Sequence, residues 1–355
     1  MSVAAGAPLA APPAQPPRLL DNLMRVFAWS MTVTALMFLF NDYLIFWRDW
    51  PGFLNFLGDR GWFGIHPPGK PLGSEAITLG WLQTTAYLGA IVACAVYVYR
   101  RPDRSLRAES ISLTALAAYI VRGAFWAVTL IGLVDMLISF LRIEGFLEHL
   151  VGMQLTTELS RPQYRGTYVH YPLLALGFVI AWFVRGLGFT WLALLVVLAE
   201  FQIVISRFVF SYEQAFMGDL VRFWYAALFL FASAYALIEE GHVRVDVFYA
   251  NFSTKRKAWV NLFGSLLLGL PVCWVILSTG MWGRGNSINS PMLSFEITQS
   301  QYGLYVKYLM SGFLVVYATS MIVQFCGYIL SSIADLRGEP GGRNIQAEDH
   351  LGEDE

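Results

Sequence analysis

Apolar residues in this chain come in long runs separated by short polar segments. A helix needs about 20 mostly apolar residues to cross a hydrocarbon core of about 30 Å. Six runs meet that length plainly: residues 23–47, 77–99, 111–141, 218–238, 257–281 and 303–333. The stretch from Tyr168 to Phe210 is too long for one crossing, since a single helix would reach about 60 Å at about 1.5 Å per residue. It must break, and Arg185-Gly186-Leu187-Gly188 is the place, because two glycines and a charge favour a turn. This leaves a short span, 168–184, and a full one, 189–210. The predicted fold class is all-α, a polytopic helical membrane protein with eight transmembrane helices.

Composition agrees: 56% of residues are hydrophobic and 14% charged, where soluble domains carry about a quarter charged. The few charges are informative because they cannot cheaply sit in hydrocarbon. The densest stretch, EEGHVRVDVFYANFSTKRK at residues 239–257, lies between two apolar runs and ends in three adjacent cations, Lys255, Arg256 and Lys257. The positive-inside rule makes this loop cytoplasmic. Eight spans with the N-terminus inside put the compact YRRPDRSLR loop on the same side, whereas seven would put it opposite. Arg48, Arg60, Lys70, Arg142, Arg161, Arg165 and Arg284 then fall to the outside loops. Both termini are expected to be cytoplasmic.

Residues 1–20 are rich in Ala and Pro and have neither a basic n-region nor an apolar h-region, so they read as a disordered tail and not a signal peptide. Residues 336–355 read as an acidic flexible tail. Two outside loops are long. Asp49 to Glu75 reads as an interfacial segment of turns. Arg142 to Tyr164 has Ile143, Phe146, Leu147, Leu150 and Val151 at helical spacing, predicting a short helix flat on the outer surface. Cys94, Cys273 and Cys326 each lie in an apolar run, so neither a disulfide framework nor a metal set is suggested, and no cofactor is called for. A net charge of −1 without a long basic run argues against nucleic acid as a partner. No repeat of 20 to 50 residues relates the halves.

From Gly188 onward the sequence resembles the small membrane subunit, DctQ type, of tripartite ATP-independent periplasmic (TRAP) transporters. The first span of this part ends in VISRFVFS, where Arg207 and Phe208 fill the family's Arg-aromatic places. DLVRFWYAALFLFASAYALIEEGHVRVDVF follows, in which Asp219 and Arg222 match the family's acidic-Leu-x-Arg opening. His242, Arg244 and Asp246 match its closing His-x-x-x-Asp. STKRKAW opens the third span, and FEITQSQYGLYVKYLMSGF the fourth, with Glu296, Gly303, Leu304, Lys307 and Gly312 in family places. Two positions depart from the pattern: Asp219 stands where Glu is more usual, and Ala232 where Gly is.

The resemblance implies a four-helix small permease domain at 186–335, preceded by a membrane extension at 21–185 about which it implies nothing. It further implies a scaffold for a large permease subunit (DctM type) in the inner membrane of a bacterial cell. A sodium or proton gradient would drive uptake there of an organic solute, such as a carboxylate, handed over by a periplasmic binding protein. On that reading the chain is not an enzyme. One expected use of the extension is to widen the lipid-facing frame around the large subunit or to cover it on one side, with Trp29, Trp47, Trp50, Trp62 and Trp81 as belts near the span boundaries.

Several polar residues have both a structural and a functional reading. Arg207, near the outer end of its span, either snorkels to headgroups or anchors the connecting segment by pairing with Asp219 or the neighbours of Arg222. Glu296 and Lys307 read as a solvated surface pair rather than a substrate clamp. Glu200 and Gln202 fall near mid-span, so they are expected to face protein or a wet cavity. Arg122 and Asp135 are also deep, and thirteen residues of helix put them about 220° apart on different faces. The expected arrangement pairs Arg122 or Asp135 with Glu200 or Gln202 across a helix contact; the sharper alternative is an ion or proton relay. His242 reads as a structural turn residue, since nothing beside it supplies a nucleophile or metal set.

Two rival functions are open. A redox anchor subunit needs histidines within its spans as haem ligands. His66, His149, His170, His242 and His350 read as lying in loops, tails or span ends. A stand-alone carrier would want broken helices at mid-membrane with several polar groups converging there.

Overall fold

The computed structural model describes residues 19–65, 69–186, 189–212, 214–238, 249, 251–298 and 303–341. Much of the two expected tails, and His66, His242, Arg244, Asp246 and His350, lie outside the described residues. The described part is helical. In chain order it contains α1 (Leu19–Arg48), α2 (Phe53–Asp59), α3 (Ser74–Tyr99), α4 (Leu106–Ile143), α5 (Phe146–Leu159) and α6 (Pro162–Phe183). After these come α7 (Phe189–Val209), α8 (Met217–Ile238), α9 (Thr254–Met281), α10 (Asn289–Ser294) and α11 (Lys307–Arg337). Eight of these helices are long and apolar enough to cross a membrane: α1, α3, α4, α6, α7, α8, α9 and α11.

The short span expected at 168–184 is the second part of α6, which begins six residues earlier and has 22 residues. At about 1.5 Å per residue that gives about 33 Å, enough to cross. The charges Arg161 and Arg165 read as loop charges in the sequence. In the structure Arg165 lies inside the helix, fully buried and paired, so the helix runs straight through it.

Proline shapes two of the spans. Pro172 and Pro271 each follow a single π turn, Gly166–His170 in α6 and Ser265–Gly269 in α9. A proline inside a helix lacks an N–H, and its ring crowds the carbonyl four residues back. Widening the preceding turn relieves both problems without ending the helix.

The helix expected between Arg142 and Tyr164 is present as α5, broken at Gly152, whose φ of 81° only glycine adopts readily. Leu147 and Leu159 pack inward, while Phe146, Leu150 and Val151 stay exposed. The loop after α1 holds the short helix α2 and a turn at Trp62–Gly64.

α11 is the central helix: 67% of its most apolar stretch is buried, more than in any other span. Around it stand α1, α4, α8 and α9, with α9 and α4 making the most extensive contacts. α6 packs on the far side of α4, α3 on α1, and α7 on α8. One core therefore runs through both halves of the chain. It joins Leu113, Ala117 and Phe125 of α4 to Phe223, Ala227 and Phe231 of α8 and to Ala318, Ile322, Cys326 and Ile329 of α11.

In lipid the tails are as apolar as the side chains, so packing and hydrogen bonds, not the expulsion of water, hold such helices together. Small residues provide the close approaches. Gly177 of α6 sits against the Ala127 backbone of α4, where an added methyl would meet the chain at 2.5 Å. Gly132 of α4 makes room for the Trp224 indole of α8, whose Nε1 donates to the Val128 carbonyl at 3.3 Å. Gly327 of α11 faces α4, and its carbonyl accepts from Ser110 Oγ at 2.7 Å.

Candidate functional site

Polar side chains gather at the two ends of the bundle. At one end, Arg25 of α1 donates to Glu109 of α4 at 2.8 Å, with side-chain exposures of 1% and 0%. Trp29 Nε1 donates to the other Glu109 oxygen at 2.9 Å, so this indole serves an internal carboxylate and not only a boundary belt. Arg25 also donates to the Arg101 carbonyl at 2.9 Å. Beside this pair, Arg107 of α4 contacts Asp335 of α11 at 2.5 Å and Ser331 at 2.7 Å. Asp21 of α1 pairs with Arg337 of α11.

The opposite end is built on Asp135, fully buried near the end of α4. Its Oδ1 accepts from Arg165 Nη1 at 2.9 Å and lies 3.1 Å from His170 Nε2, and its Oδ2 accepts from the Tyr305 backbone N–H at 2.9 Å. A carboxylate only accepts, so His170 donates through Nε2. His170 Nδ1 lies 3.0 Å from the Tyr308 hydroxyl, which serves a neutral ring as donor. Arg165 also donates to Ser139 Oγ and the Leu159 carbonyl, and its guanidinium lies 4.1 Å over the Tyr305 ring. The π turn before Pro172 presents His170 to α4 and α11 together. The cluster ties α4, α6 and the lead-in to α11 through charge-assisted bonds, about twice as strong as neutral ones.

Sequence spacing led to a different expectation for these groups, which the structure corrects. Asp135 pairs with Arg165 and His170, not with Glu200 or Gln202. Arg122 Nε donates to the Ala181 carbonyl of α6 at 2.9 Å. His170, expected at a span end, is completely buried within α6. The hub was missed because its partners lie 30 and 35 residues apart on another helix. One readable signal existed, an Arg and a His five residues apart ahead of an apolar run.

Four of the candidate residues do come together. Asp219, Arg222, Glu296 and Lys307 line a cleft of about 430 Å³, with Thr298, Val306, Met310 and Ser311 also in its wall. Asp219, in the first turn of α8, accepts from Thr298 Oγ1 and the Leu304 N–H, both at 3.2 Å, and lies 3.8 Å from Arg222. Lys307 contacts Glu296 at 2.5 Å, with both side chains more than 40% exposed, as expected of a solvated pair. Asp219 therefore fixes the segment leading into α11. Arg207 lies in the last turn of α7.

Glu200 stands apart from all of these. It is exposed on α7, and among the described residues it has no hydrogen-bond or ion-pair partner. Gln202 is also exposed and donates to Ser206 one turn on, at 3.1 Å. α7 is the least covered span, with 11% of its most apolar stretch buried. A charged group at the centre of a helix facing hydrocarbon costs about 2.5–3.5 kcal/mol on insertion scales.

The sequence from residue 193 to 334 matches the family described as tripartite ATP-independent periplasmic transporters, DctQ component. Residues 193–334 carry the DctQ sequence pattern. Searches of the curated proteins and of the solved structures find no match to the chain. The match begins within α7 and ends within α11, so it takes in α8, α9, α10 and most of α7 and α11, and α1 to α6 precede it as an N-terminal extension. The extension is not merely attached at one edge. Its helices α1 and α4 cover the central DctQ helix α11, and both buried ion clusters have members in it.

Proposed function

We propose that the chain acts as the small subunit that braces a large permease subunit in a TRAP transporter, without itself forming the solute path. The observation that carries this reading is the distribution of polarity inside the bundle. Its buried ion pairs, Arg25 with Glu109 and Asp135 with Arg165, are made within the chain near the two ends, and among the described residues the buried polar groups at mid-bundle are neutral ones, Thr32, Thr319, Ser320 and Gln324, set among apolar side chains. A carrier coupled to an ion gradient is expected to bring charged groups together at mid-depth.

The same reading places the chain in a bacterial inner membrane, with the end bearing Glu109 on the cytoplasmic side. Arg25, Arg100, Arg101, Arg104 and Arg107 cluster there, which the positive-inside rule supports. The partners are a large permease that moves solute down an ion gradient and a periplasmic binding protein that meets the Glu296 end. The solute class, an organic acid, follows from the family resemblance. A haem-anchor role gains no support from His170, because both its ring nitrogens are engaged, one by Asp135 and one by Tyr308. The test is affinity purification of the intact chain from membranes that also contain the large permease. Recovery of the permease in about equal amount supports the reading, and its absence overturns it.

A further inference from the structure

We infer that the outward face of α7 is the docking surface for a transmembrane helix of the large permease, and that this helix carries a cation or a strong hydrogen-bond donor opposite Glu200. The inference rests on the small-subunit reading and specifies where and by what chemistry the partner binds.

Three observations converge on this face. First, α7 packs chiefly on α8 through a narrow strip that includes Leu192 and Ala199, leaving Leu194, Val197, Phe201 and Val204 exposed. Second, Glu200 lies one residue past the midpoint of this 21-residue helix, about 100° from buried Ala199, so its carboxylate sits at mid-depth beside the apolar face. Third, the extension closes other sides of the DctQ domain: α1 and α4 cover α11, and α4 covers α8.

Charge complementarity selects the occupant. An ionised carboxylate accepts and never donates, so it needs an Arg, Lys or protonated His, or an amide or hydroxyl donor. The hydrocarbon of the bilayer has none. A second copy of this chain docked through the same face would bring another carboxylate, not a cation. A permease helix with a donor at matching depth satisfies Glu200. Because such a group pairs at one height only, it also fixes the register of the two helices.

The test incorporates a photo-reactive residue singly at Val197, at Val204 or, on exposed α3, at Val92, in the full complex in native membranes. We expect Val197 and Val204 to give an adduct of this chain with the permease, and Glu200→Lys to lower permease recovery by about tenfold or more, the scale of a lost buried charge contact. Glu200→Lys is expected to leave the melting temperature of the isolated chain unchanged, since among the described residues Glu200 has no hydrogen-bond or ion-pair partner. Co-purification of the permease with adducts from Val92 and none from α7 overturns the inference while the small-subunit reading stands. Labelling of lipid alone, an adduct of two copies of this chain, or full permease recovery with Glu200→Lys also overturns it. Failure of the unmodified chain to recover any permease overturns the small-subunit reading and the inference together.

Discussion

Arg165 donates to Asp135 at 2.9 Å, and neither side chain reaches the surface. The two belong to different helices, α6 and α4, and Asp135 also accepts from the Tyr305 N–H, so the same carboxylate joins both helices to the segment leading into α11. Removing one member of a buried pair strands the other's charge at a cost of about 3–5 kcal/mol. We therefore expect Asp135→Ala to destabilise the chain by about that amount, measured as a fall in melting temperature in detergent. Replacing both members, Asp135→Leu with Arg165→Met, is expected to recover part of the loss, because no unpaired charge then remains.

Lys307 and Glu296 make a shorter contact, 2.5 Å, in a different environment, with exposures of 45% and 42%. Solvent screens such a pair, so Lys307→Ala is expected to change stability by less than about 1 kcal/mol. A large effect of Lys307→Ala on permease recovery, without a change in melting temperature, would identify the cleft as a contact surface.

The contact between α6 and α4 allows a steric test. A methyl added at Gly177 meets the Ala127 backbone nitrogen at 2.5 Å, and that backbone cannot move without shifting a 38-residue helix. Gly177→Ala is expected to cost about 1–3 kcal/mol as an overpacked contact. Gly264 in α9 has nothing within 4 Å of the same position. Gly264→Ala is thus expected to be neutral or slightly stabilising, through the better helix propensity of alanine. Thermal unfolding of the two variants side by side checks both.

Removing residues 1–185 would strip α1 and α4 from α11 and leave Arg337 and Asp335 without Asp21 and Arg107. We expect this truncated chain to aggregate on extraction, read by size-exclusion chromatography. A monodisperse, helical product would show that the DctQ helices stand alone.

The number of spans was legible because length and apolarity suffice for it, and the separation of α6 from α7 after Phe183 agrees with the glycines and charge read there. The start of α6 was not legible. Arg161 and Arg165 look like loop charges until Asp135 is known to lie opposite Arg165. The same limit hid the hub: helical spacing says which residues of one helix share a face, but not which helix that face meets. It also misassigned Glu200, for which an internal partner was expected and none is found among the described residues. Asp219, Arg222, Glu296 and Lys307 were legible as a group only through the family pattern, and the structure adds the cleft that joins them.

The account's central claim is that this chain braces a permease rather than carrying solute, and reconstitution tests it most directly. Uptake of labelled solute is measured in proteoliposomes under an ion gradient with the binding protein present, with this chain alone and with this chain plus the large permease. The account predicts uptake only when the permease is included. Accumulation of solute by liposomes containing this chain alone would contradict it.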